Sequence, residues 1–444
     1  MTGMGRLTAM SRMRAILRSL THRIHERLLG TGIGERTSSA LHGAAWVTGA
    51  AMIARVLTGV TTLLTARWLG PEDWGRANLA LAASMWLQIP LFLGLPTAIL
   101  NTVPRAAPGA RGAWARTASL LLFAVGLLTL AGGFALRVPL AKISGMGVEE
   151  FSAGLAWCAG IVIYSAAITL LSSLERFRAR AVAEVAFALA YPAGVVALHV
   201  TGSLSWRGYV WSMAFGYALA GLAKILFARV PLPAIEPGTA ERARHLLSLG
   251  VIAVGSSLAL ALIHALGRQV THLYFPIDQV GVLSAYQGGS LQMAMYMQGV
   301  LTMVFFPVAS RTPDRRGLFR KMSRLLAPLS LAASAAFAVL LVVWMSLLGR
   351  EFPLDALLVA TFAIAAGLTT SFGFVAWVLA SGGRGGIASS TVAWLVTGAV
   401  NAAACVLLVP RLGVLGAGVA VVIGTLAGIG AGFLPPLRRW ADVD

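Results

Sequence analysis

The chain contains little charge for its length. Of its 444 residues only 11% are charged, and just 16 are acidic, whereas about a quarter of the residues of a soluble domain are charged. So few charged residues cannot cover a core of this size with polar surface. The shortage of charge therefore excludes a soluble fold.

Residues that carry catalysis or bind metals are also scarce. The two cysteines, Cys158 and Cys405, stand in apolar runs and lack the spacing of a metal site or a redox pair. No glycine-rich loop is followed by Lys-Ser or Lys-Thr, which leaves no nucleotide-binding loop. We expect no metal, no cofactor and no enzyme activity. An integral-membrane polysaccharide ligase or polymerase is the alternative outside transport, and it would need polar loops larger than those found here.

Long apolar runs make up most of the sequence. The chain is 58% hydrophobic, with a mean hydropathy of +0.80. Because a helix spans a bilayer with about 20 mostly apolar residues, we expect an all-α membrane protein of about twelve transmembrane helices. The predicted spans are 40–66, 77–102, 115–136, 151–174, 181–202, 208–228, 246–272, 280–307, 322–348, 355–381, 387–409 and 413–434.

The net charge of +19 has two explanations. A nucleic-acid-binding protein clusters its basic residues on one face, but here they are scattered through short segments between apolar runs, so we expect no nucleic-acid partner. With the N-terminus in the cytoplasm, 26 of the 35 Lys and Arg residues fall in cytoplasmic segments and eight in outer ones. This asymmetry predicts a multi-pass protein of the bacterial inner membrane with both termini in the cytoplasm.

The two halves of the chain repeat at a nearly constant offset. Gly75 and Gly281, Arg105 and Arg311, and Arg178 and Arg384 are each 206 residues apart. Since six spans per half is an even number, we expect two pseudo-symmetric six-helix lobes related by an axis along the membrane normal, with the substrate site between them. The predicted segments are 1–38 (a basic segment, either an amphipathic helix on the membrane or a disordered tail), 39–230 (N-lobe), 231–245 (cytoplasmic linker), 246–434 (C-lobe) and 435–444 (cytoplasmic tail).

Several segments resemble those of one transporter family. They are 54–57 (ARVL), 65–75 (TARWLGPEDWG), 92–96 (FLGLP), 281–286 (GVLSAY), 306–307 (FP), 348–352 (LGREF) and 409–417 (VPRLGVLGA). Together they make the chain similar, over about residues 38 to 434, to oligosaccharide flippases of the Wzx type. These flippases belong to the multidrug/oligosaccharidyl-lipid/polysaccharide (MOP) exporter superfamily, which has a MATE-like fold.

The resemblance implies a substrate and partners. It implies a flippase that moves an undecaprenyl-pyrophosphate-linked oligosaccharide across the inner membrane by alternating access, for O-antigen or other cell-surface polysaccharide synthesis. Membrane lipids, a polysaccharide polymerase and chain-length proteins would be its partners. One feature departs from the family, because Gly267 stands before Arg268 where relatives carry an aspartate. Lipid II flippases and multidrug exporters of the MATE type are the alternative transporters.

Four basic residues are candidates to bind the pyrophosphate. Arg55 lies at the middle of the first predicted span, and a charged side chain there faces a cavity or a partner because facing lipid costs at least a few kcal/mol. With no acidic residue in the middle of a span to pair with it, we expect Arg55 to contact substrate. His264, Arg268 and His272 are four residues apart, which predicts a basic stripe on one face of the seventh span.

Neutral polar residues in two spans are candidates to contact sugar hydroxyls. The alternative is that they join membrane helices to one another. They are Asn78 and Gln88 in the second span and Gln287, Gln292 and Gln298 in the eighth.

Overall fold

The computed structural model describes residues 35–227, 231–298, 315–380 and 383–433, and these ranges are almost entirely helical. The predicted N-terminal amphipathic segment, apart from its last residues, lies outside the described residues. So do the C-terminal tail and the end of the eighth predicted span.

The helices follow one another with short connections. They are α1 (Glu35–Phe92), α2 (Leu95–Thr102), a 3₁₀ turn (Val103–Arg105), α3 (Arg111–Ala135), α4 (Arg137–Ile143), α5 (Val148–Ser173), α6 (Phe177–Val200), α7 (Trp206–Phe227), α8 (Thr239–His264), α9 (Leu266–Tyr274), α10 (Ile277–Gln287), a π-helical turn (Gly288–Gln292), α11 (Arg315–Leu348), α12 (Ala356–Ala380), α13 (Gly383–Leu412) and α14 (Val414–Gly432).

Hydropathy and length support a multi-pass membrane protein. In the described ranges nine helices are long and apolar enough to span a bilayer, and the bent unit formed by α1 and α2 is a tenth candidate. The pair α8 and α9 counts as one span of 36 residues, Thr239–Tyr274. α8 begins at Thr239, inside the predicted linker 231–245. The predicted fold class, an all-α membrane protein, is confirmed.

The long helix α1 contains two spans rather than one. Gly70 has φ 71° and ψ 174°, a non-helical conformation that only glycine adopts easily. Before Gly70, the chain runs antiparallel to the helix that follows Ile277, with Gly59 against Met293 and Arg55 against Tyr296.

After Gly70 the chain runs back along a different helix pair. Trp86 donates a hydrogen bond to Gln269, and Gly94 lies against Gly250, so this part is antiparallel to α8 and α9.

Before Gly70 the chain also runs parallel to α6, with Thr62 beside Tyr191 and Trp68 beside His199, and after Gly70 it runs parallel to α5. Because α7 packs antiparallel to α6 and parallel to α5, those two helices run in opposite directions, and the chain reverses at Gly70. We call the two ends of the helix bundle the Gly70 end, predicted to face outward, and the Gly94 end, predicted to face the cytoplasm.

The two halves of the chain meet at the Gly70 end in a symmetric helix crossing. A Cβ atom on Gly75 would lie 2.2 Å from the carbonyl oxygen of Ile277, and one on Gly281 would lie 1.9 Å from that of Pro71. Gly75 and Gly281 are 206 residues apart, as are Pro71 and Ile277. A shift of 206 residues therefore converts each contact into the other. The sequence repeat thus appears in the structure as a pseudo-twofold helix crossing.

A second close crossing lies at the Gly94 end. Leu93 and Gly94, with φ of 43° and 67°, end α1, and Pro96 follows in the first turn of α2. A Cβ on Gly94 would lie 2.1 Å from the carbonyl oxygen of Gly250. The bend of 48° between α1 and α2 thus brings the backbone against α8.

Candidate substrate site within and between the lobes

Arg55 lies where the two halves of the chain face each other. Its guanidinium carbon is 4.4 Å from the centroid of the Tyr296 ring, a cation–π contact. Gln292, one of the predicted sugar contacts, donates its amide Nε2 to the Tyr296 hydroxyl at 2.9 Å. The structure thus places Arg55 at the face and Gln292 at the hydroxyl of one tyrosine ring.

One acidic residue, Glu184, interacts with Arg55 without lying within the 4 Å of an ion pair. Glu184 of α6 is 5% exposed and has an electrostatic interaction with Arg55. The Tyr164 hydroxyl donates to Glu184 Oε2 at 2.8 Å, and Arg180 Nε lies 3.9 Å from Glu184 Oε1. Linear span positions put Glu184 too far from Arg55 because they carry no information on which helix faces meet.

Aromatic rings line the inside of the N-lobe between Glu184 and the Gly70 end. Tyr217 lies 4.9 Å from Tyr164 and 4.0 Å from Phe187, measured between ring centroids. Tyr191 and Tyr209 continue the series towards Trp74. These rings give the N-lobe interior hydroxyl groups and apolar faces in a continuous column.

Arg268 is buried in the C-lobe, at 7% exposure. Its Nε donates to Gln287 Oε1 at 2.9 Å, so the neutral amide of another predicted site residue holds it. Arg268 lies inside α9 and not in a segment that connects two helices. In the described part of the chain, no carboxylate lies within 4 Å of Arg55 or Arg268.

The predicted basic stripe is only partly continuous. α8 ends at His264 and α9 begins at Leu266, so a helix break interrupts the four-residue spacing. His264 is buried and interacts electrostatically with Arg268, whereas His272 is half-buried. The structure therefore brings His264 and Arg268 together, and it shows no such interaction for His272 among the residues it describes.

The remaining predicted sugar contacts differ in their surroundings. Asn78 donates to the carbonyl oxygen of Trp74 in its own helix, and Gln298 donates to that of Thr369. Both are buried, which matches the alternative that such residues join or support membrane helices. Gln88 is half-buried on α1.

Sequence reasoning missed Tyr296, Glu184, Tyr164 and Lys224. Lys224 lies inside α7, near its end, at 3% exposure, with its Nζ 3.7 Å from the centroid of the Tyr164 ring. A signal was present, since Glu184 and Lys224 each stand inside an apolar run. Among the described residues, no group of three or more His, Cys, Asp or Glu side chains could hold a metal ion.

Comparison with known proteins places the chain in a family. Residues 40–313, more than half of the chain, match the family described as polysaccharide biosynthesis protein. The chain belongs to this family. A comparison with curated proteins finds no match.

Solved structures of MOP-superfamily transporters share the fold. An inward-facing MATE family multidrug resistance transporter has a TM-score of 0.65 at 14% identity, covering 90% of this chain and 98% of that one. The lipid II flippase MurJ in an inward closed conformation has a TM-score of 0.66 at 11% identity, covering 87% and 86%. A MOP superfamily transporter from Pyrococcus furiosus has 0.60 at 14%, covering 93% and 98%. The protein is therefore a multi-pass membrane protein with a MOP-type transporter fold.

Proposed function

We propose that this protein is a Wzx-type flippase. It moves an oligosaccharide carried on undecaprenyl pyrophosphate from the cytoplasmic to the outer leaflet of the bacterial inner membrane, where a polymerase and chain-length proteins use it for surface polysaccharide. Its lobes would be residues 39–230 and 246–434. The family match to polysaccharide biosynthesis proteins and the MOP fold support this role.

The observation that carries the proposal is the pair Arg55 and Arg268. Each lies inside a helix of the membrane part, and neither has a carboxylate within 4 Å in the ranges the structure describes. A charge inside the membrane is costly and normally has a functional partner. The planar guanidinium binds phosphate oxygens with two parallel hydrogen bonds, so a pyrophosphate is a fitting partner for both arginines.

Alternating access fits the two glycine crossings. The crossing of Gly75 with Gly281 closes the Gly70 end, and we expect it to separate when the substrate leaves. The sugar and the pyrophosphate would cross in one water-accessible cavity between the lobes, with the prenyl tail in the lipid. Gln292 and Gln88 would contact sugar hydroxyls, and His264 and His272 would add to the positive charge.

Two relatives supply the competing functions. One solved neighbour is a multidrug resistance transporter and another a lipid II flippase. A cationic drug fits poorly beside two arginines inside the membrane part, because like charges repel in a medium of low dielectric constant. Lipid II also carries a pyrophosphate, so the arginines alone do not separate it from other lipid-linked sugars, and the test must include it.

The proposal is tested by deleting the gene in its native cell and restoring it on a plasmid. Deletion should trap the lipid-linked oligosaccharide in the cytoplasmic leaflet, measured by its protection from a glycosidase added to spheroplasts. The wild-type protein and Arg137→Ala should restore export, whereas Arg55→Ala and Arg268→Ala should not. Arg137 is a control because it is half-buried and its guanidinium stacks on Phe134, outside the proposed site. Normal export after deletion, with loss of cationic-dye efflux or accumulation of lipid II, would overturn the proposal.

A further inference from the structure

The N-lobe contains a second group of cations, close to the Gly94 end of the bundle. Arg180 Nε lies 3.9 Å from Glu184 Oε1, and Lys224 and Arg55 both interact electrostatically with the same carboxylate. Three cations thus share one acidic side chain. When all four groups are ionised, the cluster has a surplus of positive charge.

Lys224 is the least satisfied member of this cluster. Its side chain is 3% exposed, and its Nζ has no hydrogen-bond partner in the part of the chain that the structure describes. The Tyr164 ring, 3.7 Å from Nζ, provides a cation–π contact. An ammonium group has three donors, however, and an aromatic face replaces few of the hydrogen bonds that water gives them.

Arg180 also has fewer hydrogen-bond acceptors than donors, although it is better satisfied than Lys224. Its Nη1 donates to Ser172 Oγ at 3.0 Å, but its buried Nε has no hydrogen-bond acceptor among the described residues. The Glu184 carboxylate also accepts from Tyr164 at 2.8 Å, so it is shared among several groups. The cluster therefore has more donors than acceptors.

Backbone packing fixes the positions of these groups. A Cβ on Gly221 would lie 2.7 Å from the backbone nitrogen of Tyr164, so α5 and α7 touch at this point. Lys224 follows about one helical turn later and therefore lies beside the Tyr164 ring. A group of cations held in place before the ligand arrives loses little side-chain entropy when it binds.

We propose that Lys224, Arg180 and Arg55 form a binding site for the diphosphate group of a polyprenyl carrier lipid, with Glu184 as the internal counter-ion that the diphosphate displaces. This inference rests on the proposed function and deepens it by placing the headgroup inside the N-lobe at the Gly94 end. Phosphate oxygens supply the acceptors that Lys224 and Arg180 lack. When Glu184 is displaced, the Tyr164 hydroxyl becomes free to donate to the ligand as well.

The site is tested by binding to the purified full-length protein in detergent, without transport. The probes are geranylgeranyl pyrophosphate, inorganic pyrophosphate and geranylgeraniol, measured by native mass spectrometry and isothermal titration calorimetry. Lys224→Gln should weaken binding of geranylgeranyl pyrophosphate at least tenfold, and Lys224→Arg should retain most of it. Arg137→Gln, at a half-buried position outside the proposed site, should bind as the wild type does.

Glu184→Gln should change the affinity for geranylgeranyl pyrophosphate in the direction opposite to Lys224→Gln. It removes the carboxylate that competes with the ligand, so it should tighten binding severalfold. A purely structural cluster would predict weaker binding for this variant, and that result would overturn the site. Unchanged binding by a folded Lys224→Gln protein would also overturn it, and if that variant does not fold, the result for Glu184→Gln still decides.

The three probes distinguish a free diphosphate from a lipid headgroup as the ligand. Because they measure binding and not transport, they also test the site separately from the proposed flippase function. Competition by inorganic pyrophosphate would support a site that recognises the diphosphate itself, whereas binding of the lipid alone would support a headgroup presented from the bilayer. Equal binding of geranylgeraniol would contradict both. A protein that binds the lipid through Lys224 but does not flip it would overturn the proposed function and leave the site intact.

Discussion

The two lobes each hold an arginine, half-buried in the N-lobe and buried in the C-lobe, in different chemical surroundings. In the N-lobe, Arg55 stacks on a tyrosine of the other half of the chain and interacts with Glu184. In the C-lobe, Arg268 is hydrogen-bonded by the neutral amide of Gln287. The repeat therefore preserves the backbone crossing at Gly75 and Gly281 and leaves the interior side chains to diverge. The C-lobe charge is uncompensated by a carboxylate, whereas the N-lobe charge is partly balanced from within.

The largest effect should come from removing the cation that lies between the lobes. Arg55→Ala should abolish flipping while the protein still inserts and accumulates, because no other described cation contacts Tyr296. Arg55→Lys should keep part of the activity, since the charge remains but the planar fork is lost. Transport is measured in vesicles, with Arg137→Ala as the control. Normal flipping by Arg55→Ala would show that the cation is not used.

The crossing shared by the lobes should be the next most sensitive. Gly75→Ala and Gly281→Ala each place a methyl group against a carbonyl oxygen, at 2.2 and 1.9 Å before any adjustment. We expect each to hinder closure of the Gly70 end and lower flipping about tenfold, and the double variant to be non-additive because both belong to one contact.

Whether the Gly70 end is open or closed is measured by the rate at which a cysteine at position 78 is labelled. The cysteine is introduced as Asn78→Cys into a protein that also carries Cys158→Ser and Cys405→Ser. A membrane-impermeant maleimide should react faster when either glycine is replaced. Gly132→Ala and Gly430→Ala are matched controls, since a Cβ at either position meets no atom within 4 Å. Slower labelling in the Gly75 and Gly281 variants than in these controls would contradict a closed Gly70 end.

A carboxylate placed beside Arg268 tests whether the absence of a neutralising acidic residue is the functional difference between the C-lobe and the N-lobe. Gln287→Glu should pair with Arg268 and lower flipping severalfold, because the guanidinium is then less available to phosphate. The change keeps the side-chain shape, so a thermal melt should show little loss of stability. Gln287→Leu instead leaves the buried Nε of Arg268 without its acceptor and should cost about 1–3 kcal/mol of unfolding free energy. Faster flipping by Gln287→Glu would contradict the idea that Arg268 works because no carboxylate neutralises it.

The smallest effect should come from the C-lobe histidine. His264 is buried beside Arg268, which already supplies the positive charge there. His264→Gln should therefore change the flipping rate less than about twofold, since the substitution keeps a polar side chain of similar size. A loss as large as that of Arg268→Ala would assign His264 a role of its own, such as proton transfer.

Much of the framework could be predicted from the sequence, for identifiable reasons. Apolar run lengths located the helices, and the 206-residue offset anticipated that Gly75 and Gly281 occupy equivalent positions. The interior could not be predicted, because spacing along a chain does not say which helix faces meet. The interaction of Glu184 with Arg55 and the position of Lys224 beside the Tyr164 ring were therefore not predicted. Asn78 seemed available to substrate, although its amide is bonded to the helix of which it is part.

The most direct test of the central claim compares carrier headgroups in one vesicle assay. One fluorescent oligosaccharide is attached through a pyrophosphate, a monophosphate or a neutral ether to the same polyprenyl chain, and its leaflet position is followed by quenching in proteoliposomes. The two-arginine account predicts fastest transfer for the pyrophosphate, slower transfer for the monophosphate and none for the neutral lipid, with Arg55→Ala abolishing the differences. Equal transfer of the neutral lipid, or faster transfer of a cationic dye, would contradict it.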